Sequence, residues 1–221
     1  LAERTIVVRR ARAGEVLTTL DGQARTLDPE VLVIADAARA QAIAGVMGGQ
    51  DSEVGEGTTD VLLEVAYFDA RRVRASRRRA GVSSDASYRF ERGIDRGATL
   101  ERLAQAAGLI AAVAGGTVEA VLDVGAAPPS HPAVRLRAAR VARVLGEPVD
   151  APTIERLLGA IGFTLAAESA DEEVAWLVTP PSWRDDVRRE IDLIEEVARL
   201  VGFDRFPDEL RAFRPGTVPD H

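Results

Sequence analysis

A run of proline, glycine and small residues, Gly125–Pro132, divides the sequence into two parts with different patterns. The run has no hydrophobic periodicity and is rich in residues that end helices and strands, so it predicts a linker. We therefore expect two domains in the 221 residues, at 1–126 and 133–207, with the linker itself at 127–132. Residues 208–221 are expected to begin a further linker.

The first part shows the pattern of a mixed sheet with helices. Apolar runs predict strands at 6–10, 17–20, 31–36, 61–68 and 118–124. A helix is expected from the capping residue Asp69 through Arg78, and Gly81 is expected to end it in the left-handed conformation. A second helix is predicted at about 96–113, and the polar stretch 82–95 between the helices is expected to be a loop.

The second part shows a compact order of short elements. The predicted elements are a strand at 134–136, helices at 138–145 and 153–161, strands at 163–165 and 174–178, and a helix at 185–201. Two short helices, a hairpin and a final helix form a winged-helix-like order. The predicted fold class for the whole chain is therefore α+β.

Composition narrows the class of protein. Hydrophobic residues make up 46% and charged residues 29% of the chain, which is typical of a soluble globular protein. The absence of cysteine excludes disulfides, thiolate metal sites and a cysteine nucleophile, and is consistent with a cytoplasmic location. No apolar run reaches the roughly 18 to 20 residues that span a bilayer, so no membrane association is expected. The start at Leu1 has no signal-peptide pattern and suggests the interior of a longer protein.

Several short motifs follow one another along the chain. They are Ala44–Gly49, Leu63–Asp69, Ser84–Asp95, Pro180–Asp186 and Asp192–Arg199. In order and spacing they resemble the tRNA-editing domain of bacterial phenylalanyl-tRNA synthetase beta subunits and the domain that follows it. The resemblance covers nearly the whole chain. It implies an editing domain that lacks its N-terminal portion, followed by a small winged-helix-like domain.

Glu64 is the most informative residue of these motifs, because it interrupts an apolar run between Leu63 and Val65. Burial of a carboxylate is unfavourable unless it meets a cation or a hydrogen-bond donor. From the residues alone, an ion pair with a nearby arginine is the simpler interpretation. The resemblance implies instead that Glu64 accepts a hydrogen bond from the phenol of a tyrosine wrongly attached to tRNA(Phe).

Such a second site has an energetic reason. A pocket built for an apolar side chain rejects an analogue with one added hydroxyl only about a hundredfold, so the hydroxyl must be recognised elsewhere. The resemblance places these residues in the editing pocket: Ala44, Gly45, Gly48, Ser84 and Ala86. Tight turns and close packing explain the glycines equally well. No catalytic residue is assigned, because small pocket walls fit attack by bound water and no Ser-His-Asp arrangement is evident.

Carboxylates on the last predicted helix form a second candidate site. Asp192, Glu195 and Glu196 are spaced to share one helix face, but salt bridges of the i,i+4 type explain this spacing as well. Only the resemblance makes these residues, together with Asp186, ligands of a Mg²⁺ ion that the alpha subunit completes. Oxygen ligands suit this hard cation.

A helix rich in arginine carries the third candidate site. Arg71–Arg79 contains six arginines, although the chain has a net charge of −7. Such a run is either a solvated helix face or a surface for RNA phosphates, with Arg74, Arg77 and Arg78 as the predicted contacts.

The predicted function is hydrolytic editing of mischarged tyrosyl-tRNA(Phe) within a phenylalanine–tRNA ligase. The resemblance implies an assembly of two alpha and two beta subunits that binds tRNA(Phe) and uses ATP and Mg²⁺. It puts the aminoacylation site in the alpha subunit and therefore outside this chain. The alternative is a noncatalytic module that binds nucleic acid or a partner protein, with protein contact favoured by the acidic last helix.

Overall fold

The structure, a computed structural model, describes residues 1–125, 131–168 and 173–207. The chain divides into two compact units, Leu1–Pro128 and Pro129–His221. Residues 127–130 of the predicted linker, and the linker predicted at 208–221, lie outside the described residues. The domain boundaries given above therefore remain predictions.

The first unit is built on an antiparallel sheet with the strand order β1-β4-β5-β6, beside a separate hairpin of β2 and β3. Its strands are β1 (Val7–Arg10), β2 (Val16–Thr18), β3 (Ala24–Thr26), β4 (Leu32–Ala35), β5 (Ala40–Ile43) and β6 (Met47–Gly48). The apolar run of β4 is buried because this strand is paired on both sides. The strands predicted at 6–10, 17–20 and 31–36 are confirmed with slightly different ends.

Helices of the first unit are α1 (Ala70–Ala80), α2 (Asp85–Phe90) and α3 (Thr99–Ala114). The Asp69 side chain caps α1 by accepting a hydrogen bond from the Arg72 N–H at 2.9 Å, as predicted. Gly81 ends the helix with φ +62, a left-handed conformation that glycine adopts without strain. Helix α1 packs on β4 through Ser76, whose hydroxyl accepts a hydrogen bond from the Leu32 N–H at 3.2 Å.

Three predictions for the first unit are wrong. The stretch 82–95 is not only a loop, because it contains α2. The segments 61–68 and 118–124 are apolar but form no strand, and within the described residues no strand pairs with either. Several of their apolar side chains are exposed, as at Leu62 and Leu122, although Phe68 at the end of the first segment is buried. An apolar pattern predicts a strand only where a neighbouring edge accepts its backbone hydrogen bonds.

The second unit has the predicted winged-helix-like order. Its elements are β7 (Val134–Arg137), α4 (Ala138–Leu145), α5 (Ala151–Ala160), β8 (Thr164–Glu168), β9 (Ala175–Thr179) and α6 (Glu190–Val201). The antiparallel sheet has the order β7-β9-β8. Trp176 fills its core at 2% exposure, and the indole N–H donates to the Glu155 carboxylate at 2.8 Å. The predicted α+β class is confirmed for both units.

Helix α6 begins five residues later than predicted, at Glu190 rather than Asp185. The cause is a cap further along the chain, because the Asp192 carboxylate accepts hydrogen bonds from the N–H groups of Arg188 and Arg189 at 3.0 and 2.9 Å. Among the helices that the structure describes, none combines the length and the apolar character required to cross a bilayer.

Candidate functional site

The turn between β5 and β6 forms the centre of the predicted editing pocket. Ala44 is buried and its N–H donates to the Leu32 carbonyl at 3.0 Å, while the Val46 N–H donates to the Ile43 carbonyl at 2.9 Å. Gly45 lies between them with φ +66, a conformation that strains any residue with a Cβ. This is a rigid turn that is held by the sheet on either side.

Packing around Gly45 brings three of the sequence motifs together. A Cβ at Gly45 would lie 3.1 Å from Val73 Cγ2, 3.2 Å from Phe90 Cγ and 3.3 Å from Phe68 Cδ2. The Phe68 and Phe90 rings are themselves in contact, with centroids 5.6 Å apart. The position of a Gly45 side chain is therefore filled by the core of the first unit rather than open to a ligand.

The other two motif glycines also have close neighbours. A Cβ at Gly48 would lie 3.2 Å from Leu20 Cδ1, and one at Gly49 would lie 2.6 Å from the Gln41 carbonyl oxygen. The contact at Gly49 is with backbone, which cannot move aside without disturbing β5. Close packing thus explains these glycines without a ligand. This agrees with the packing interpretation of the sequence, given above as the alternative to an editing pocket.

Ser84 connects the glycine turn to α2. Its hydroxyl donates a hydrogen bond to the Val46 carbonyl and accepts one from the Ser87 N–H at 3.1 Å. The Ser84 N–H in turn donates to the Ser87 hydroxyl at 2.9 Å, which completes a capping box. Ser84 therefore positions α2 against the turn, and Ala86 lies exposed on the first turn of that helix.

Sequence reasoning missed Ser87, which is fully buried. A hydroxyl residue three positions after Ser84 is a weak form of the capping signature, and it could have located α2. The position lacks the more usual glutamate or glutamine, which weakens this signal in a stretch whose polar residues otherwise favour a loop.

Glu64 has no ionic partner among the residues that the structure describes. The residue is exposed by surface area, and no ion pair or hydrogen bond joins its carboxylate to another residue in the described part of the chain. Surrounding protein atoms nevertheless restrict its solvation, and this burial raises the pKa of the Glu64 carboxyl. The ion pair with an arginine, which the residues alone favoured, is not formed. Glu64 is four positions before Phe68 in the sequence, so the two Cα atoms lie at most about 14 Å apart.

The predicted RNA-contacting arginines on α1 differ from one another. Arg77 is only partly exposed and its guanidinium pairs with Glu91 at 3.0 Å. Arg74 and Arg78 are exposed and form no ion pair with any residue that the structure describes. The structure therefore leaves two of the three predicted contacts available to an external anion.

Three of the four carboxylates predicted to bind Mg²⁺ are already engaged with arginines, whereas Glu195 is exposed and forms no ion pair with a described residue. Arg184 forms a bidentate pair with Asp186 at 2.8 and 2.6 Å, and it also donates to Glu196 at 2.9 Å. The second oxygen of Glu196 accepts a hydrogen bond from Arg199. The Arg184 guanidinium also lies over the Phe163 ring, 5.5 Å from its centroid.

Electrostatics follow from this geometry. Arg184 lowers the pKa of Asp186, and Glu196 has a lowered pKa although burial opposes it, because Arg184 and Arg199 outweigh the burial. Arg189 and the N–H groups at the start of α6 lower the pKa of Asp192. Sequence reasoning missed Arg184, although its place beside Asp186 in the same motif was a signal for this role.

These contacts decide how well the carboxylates fit a metal. Mg²⁺ requires near-octahedral oxygen ligands at about 2.0 to 2.1 Å. Three of the four predicted ligands instead point at guanidinium or backbone N–H groups. In the described ranges of the chain, no group of three or more His, Cys, Asp or Glu residues could hold a metal ion. The side chains as they lie do not fit Mg²⁺, so the assignment stays a prediction and requires these ion pairs to open.

Comparison with known proteins identifies the family. Residues 1–115, more than half of the chain, match the B3/4 domain. The phenylalanine–tRNA ligase beta subunit of Anaeromyxobacter dehalogenans is 50% identical over 211 residues, 95% of this chain and 26% of that protein. The chain belongs to the B3/4 family of phenylalanyl-tRNA synthetase beta subunits. Residues 134–203 of this family member match the tRNA synthetase B5 domain.

Further beta-subunit relatives show the same extent of similarity. The phenylalanine–tRNA ligase beta subunit of Salinibacter ruber is 46% identical over 221 residues, 100% of this chain and 26% of that protein. The one from Geobacter sulfurreducens is 47% identical over 206 residues, 93% of this chain and 25% of that protein. The chain thus spans about a quarter of the length of the relatives it matches. The resemblance inferred from the motifs is confirmed.

Proposed function

We propose that this chain supplies the editing site of a phenylalanine–tRNA ligase beta subunit and hydrolyses tyrosyl-tRNA(Phe). The observation that carries the proposal is Glu64, a partly desolvated carboxylate with no partner in the described part of the chain. A carboxylate that only stabilises a fold normally meets a cation or several donors, as Glu15 does with Arg9. Glu64 has an acceptor free for a ligand.

The chemistry of tyrosine suits this acceptor. Tyrosine differs from phenylalanine by one phenolic O–H, and that group would donate to the Glu64 carboxylate. Phenylalanine would leave the same carboxylate desolvated and unpaired, which is unfavourable. A hydrogen bond to a charged group contributes about 1.5 to 3 kcal/mol, so selectivity of roughly 10- to 100-fold for tyrosine is expected from this contact. The nucleophile in this proposal is a water molecule that attacks the ester carbonyl.

Deacylation tests the proposal directly. Hydrolysis of tyrosyl-tRNA(Phe) and phenylalanyl-tRNA(Phe) would be measured with the assembled ligase that contains this chain, as wild type and as Glu64→Ala and Glu64→Gln. We expect the preference for tyrosine to fall about 10- to 100-fold in Glu64→Ala. The tyrosine preference of Glu64→Gln should lie between those of the wild type and Glu64→Ala, because the amide retains an acceptor oxygen but loses the charge.

Glu53→Ala serves as the matched control, because Glu53 is an exposed carboxylate of the same unit. It should leave both hydrolysis rates unchanged. Wild-type selectivity in Glu64→Ala would return Glu64 to a structural role. Equal losses in Glu53→Ala and Glu64→Ala would indicate a general effect of charge rather than recognition of the phenol.

We further infer the assembly in which this site works. The beta subunit would combine with an alpha subunit in a heterotetramer of two alpha and two beta chains that binds tRNA(Phe) in the cytoplasm. ATP and Mg²⁺ would serve the aminoacylation step in the alpha subunit. Asp186, Asp192 and Glu196 could bind Mg²⁺ in that assembly only if Arg184, Arg189 and Arg199 moved away from them, whereas Glu195 has no such ion pair among the described residues.

The alternative function, a noncatalytic module for nucleic acid or protein, predicts a different result. It is favoured by the exposed arginines of α1, which need no hydrolytic site. Under this alternative the assembled ligase would bind tRNA but would not hydrolyse tyrosyl-tRNA(Phe) faster than the spontaneous hydrolysis measured without enzyme. The deacylation assay with wild-type protein therefore separates the two functions before any variant is made.

A further inference from the structure

One face of α1 carries positive charge that nothing in the described part of the chain neutralises. Arg71, Arg74 and Arg78 follow an i, i+3, i+7 spacing, so their side chains leave the helix within about 60° of one another. All three are exposed, and none forms an ion pair with another described residue. The arginine stripe is the name used below for these three residues.

The stripe lies opposite the buried face of the helix. Val73, Ser76 and Ala80 are buried with the same i, i+3, i+7 spacing, roughly half a turn away. This buried face contacts the sheet and the neighbourhood of Gly45, through Ser76 and Val73 respectively. The arginine stripe therefore points away from the glycine turn, with the helix body between them.

Stabilisation of the helix does not account for the stripe. Arginines near the C-terminus of a helix interact favourably with its dipole, which explains Arg78, but Arg71 is in the first turn, where positive charge is unfavourable. Like charges at the i,i+3 and i,i+4 spacings also destabilise a helix by about 0.2 to 0.5 kcal/mol per pair. No acidic residue occurs within α1 to relieve this repulsion. The arrangement suits an external polyanion better than an isolated helix.

RNA phosphate is the anion that fits this geometry. Arg71 and Arg78 are about 10 Å apart along the helix axis, so the three guanidinium groups can follow a row of phosphates. The planar guanidinium donates two parallel hydrogen bonds to phosphate oxygens. We propose that Arg71, Arg74 and Arg78 bind the RNA backbone at a position separate from the glycine turn. The identity of this RNA as tRNA(Phe) rests on the proposed function.

The position of the stripe decides which part of the RNA it contacts. A helix with its side chains is about 10 to 12 Å across, and it separates the stripe from Gly45. With the esterified end near the glycine turn, as the proposed function requires, the stripe contacts backbone away from that end and should act on affinity more than on the hydrolytic step. Arg77, which was predicted as a contact, is excluded from the stripe because it pairs with Glu91.

A salt titration of RNA binding tests the inference. Binding of tRNA(Phe) to the full chain would be measured by filter binding for the wild type and for the triple variant Arg71→Gln, Arg74→Gln, Arg78→Gln. We expect the slope of log affinity against log salt to fall by about 2 to 3, and affinity at moderate salt to fall about tenfold or more. In the editing assay of the assembled ligase, KM should rise by a larger factor than kcat falls.

The matched control removes the same charge elsewhere. Arg140, Arg143 and Arg156 are exposed, lie in the second unit and form no ion pair with a described residue. Their triple change to glutamine should leave the slope near the wild-type value. Circular dichroism should show no loss of melting temperature in either triple variant, because all six side chains are exposed and the stripe variant also removes like-charge repulsion.

Each other outcome overturns the inference. Equal loss of affinity in both triple variants would show a general effect of net charge. An unchanged slope in the stripe variant, or no RNA binding by the wild type at low salt, would exclude RNA as the ligand. If a polyglutamate probe then bound in a stripe-dependent way, the stripe would be assigned to an acidic protein. The stripe variant could bind RNA like the wild type while Glu64→Ala still lost its preference for tyrosine. That result would reject the stripe but leave the proposed editing function intact.

Discussion

The prediction that most directly tests the interpretation of the glycine turn is the stability of Gly45→Ala. The new Cβ would meet Val73, Phe90 and Phe68 at 3.1 to 3.3 Å, closer than side chains normally approach. Overpacking of a core destabilises a protein by about 1 to 3 kcal/mol. The left-handed backbone adds about 1 kcal/mol for any residue with a Cβ. We therefore expect the free energy of unfolding to fall by about 2 to 4 kcal/mol.

Gly81→Ala is the matched control. Gly81 has φ +62, close to the φ of +66 at Gly45, but a Cβ there would have nothing within 4 Å. Both variants share the backbone strain and the reduced entropy of the unfolded chain, so these contributions cancel in the comparison. The difference between the two variants isolates the packing contribution, which should be about 1 to 3 kcal/mol.

The assay is urea unfolding followed by two signals. Far-UV circular dichroism reports on the whole chain, whereas tryptophan fluorescence reports on the second unit, which contains both Trp176 and Trp183. Gly45→Ala should lower the midpoint of the dichroism transition without an equal shift in fluorescence. If Gly45→Ala and Gly81→Ala lost the same stability, the three neighbours would be able to move aside, and the packing explanation of Gly45 would be refuted.

Two further predictions concern the carboxylates that arginines hold. Arg9, together with backbone N–H groups and against the effect of burial, lowers the pKa of Glu15 to about 2. Because the folded pKa lies below the unfolded value, Glu15→Gln should destabilise the chain by about 2 kcal/mol at neutral pH. In urea titrations, the stability difference between wild type and Glu15→Gln should shrink as pH falls from about 4.5 towards 2. The control Glu30→Gln, at an exposed ion pair, should lower the free energy of unfolding by less than about 0.5 kcal/mol. Arg184→Met should lower the stability reported by tryptophan fluorescence by about 3 kcal/mol, because Glu196 would keep a poorly solvated charge. Millimolar Mg²⁺ should restore part of this loss in the variant and leave the wild type unchanged; an equal gain in both would support a metal site in the native chain.

Much of the fold was predictable because its signals are local. The cap at Asp69, the left-handed Gly81 and the linker composition each depend on a few neighbouring residues, and the structure confirms the first two. The strands predicted at 61–68 and 118–124 failed because strand formation depends on a distant edge. Helix α2 was missed because its capping box uses Ser87, an uncommon residue for that position.

The candidate sites were predictable to a different degree, because a motif gives the residue but not its contacts. The sequence singles out Glu64 because it interrupts an apolar run, but only the structure shows that no arginine among the described residues pairs with it. The sequence likewise singles out the arginines of α1 as a group, and their role stays a prediction. Their division into a paired residue, Arg77, and an unpaired stripe depends on Glu91, which approaches α1 only in the folded chain.

The same physical test separates the three sites from one another. A side chain whose charge is satisfied within the fold is explained by the fold, as for Asp186 and Glu196 with Arg184. A side chain whose charge no described residue pairs with, such as Glu64 or Arg71, leaves room for an external ligand, although water alone solvates exposed charges such as that of Glu53. By this test the metal-ligand prediction is the weakest of the three, because binding the ion must first break ion pairs that stabilise the second unit. The proposed editing acceptor and the proposed arginine stripe require no such rearrangement, and their opposite charges suit a ligand that offers both a phenol donor and a phosphate backbone.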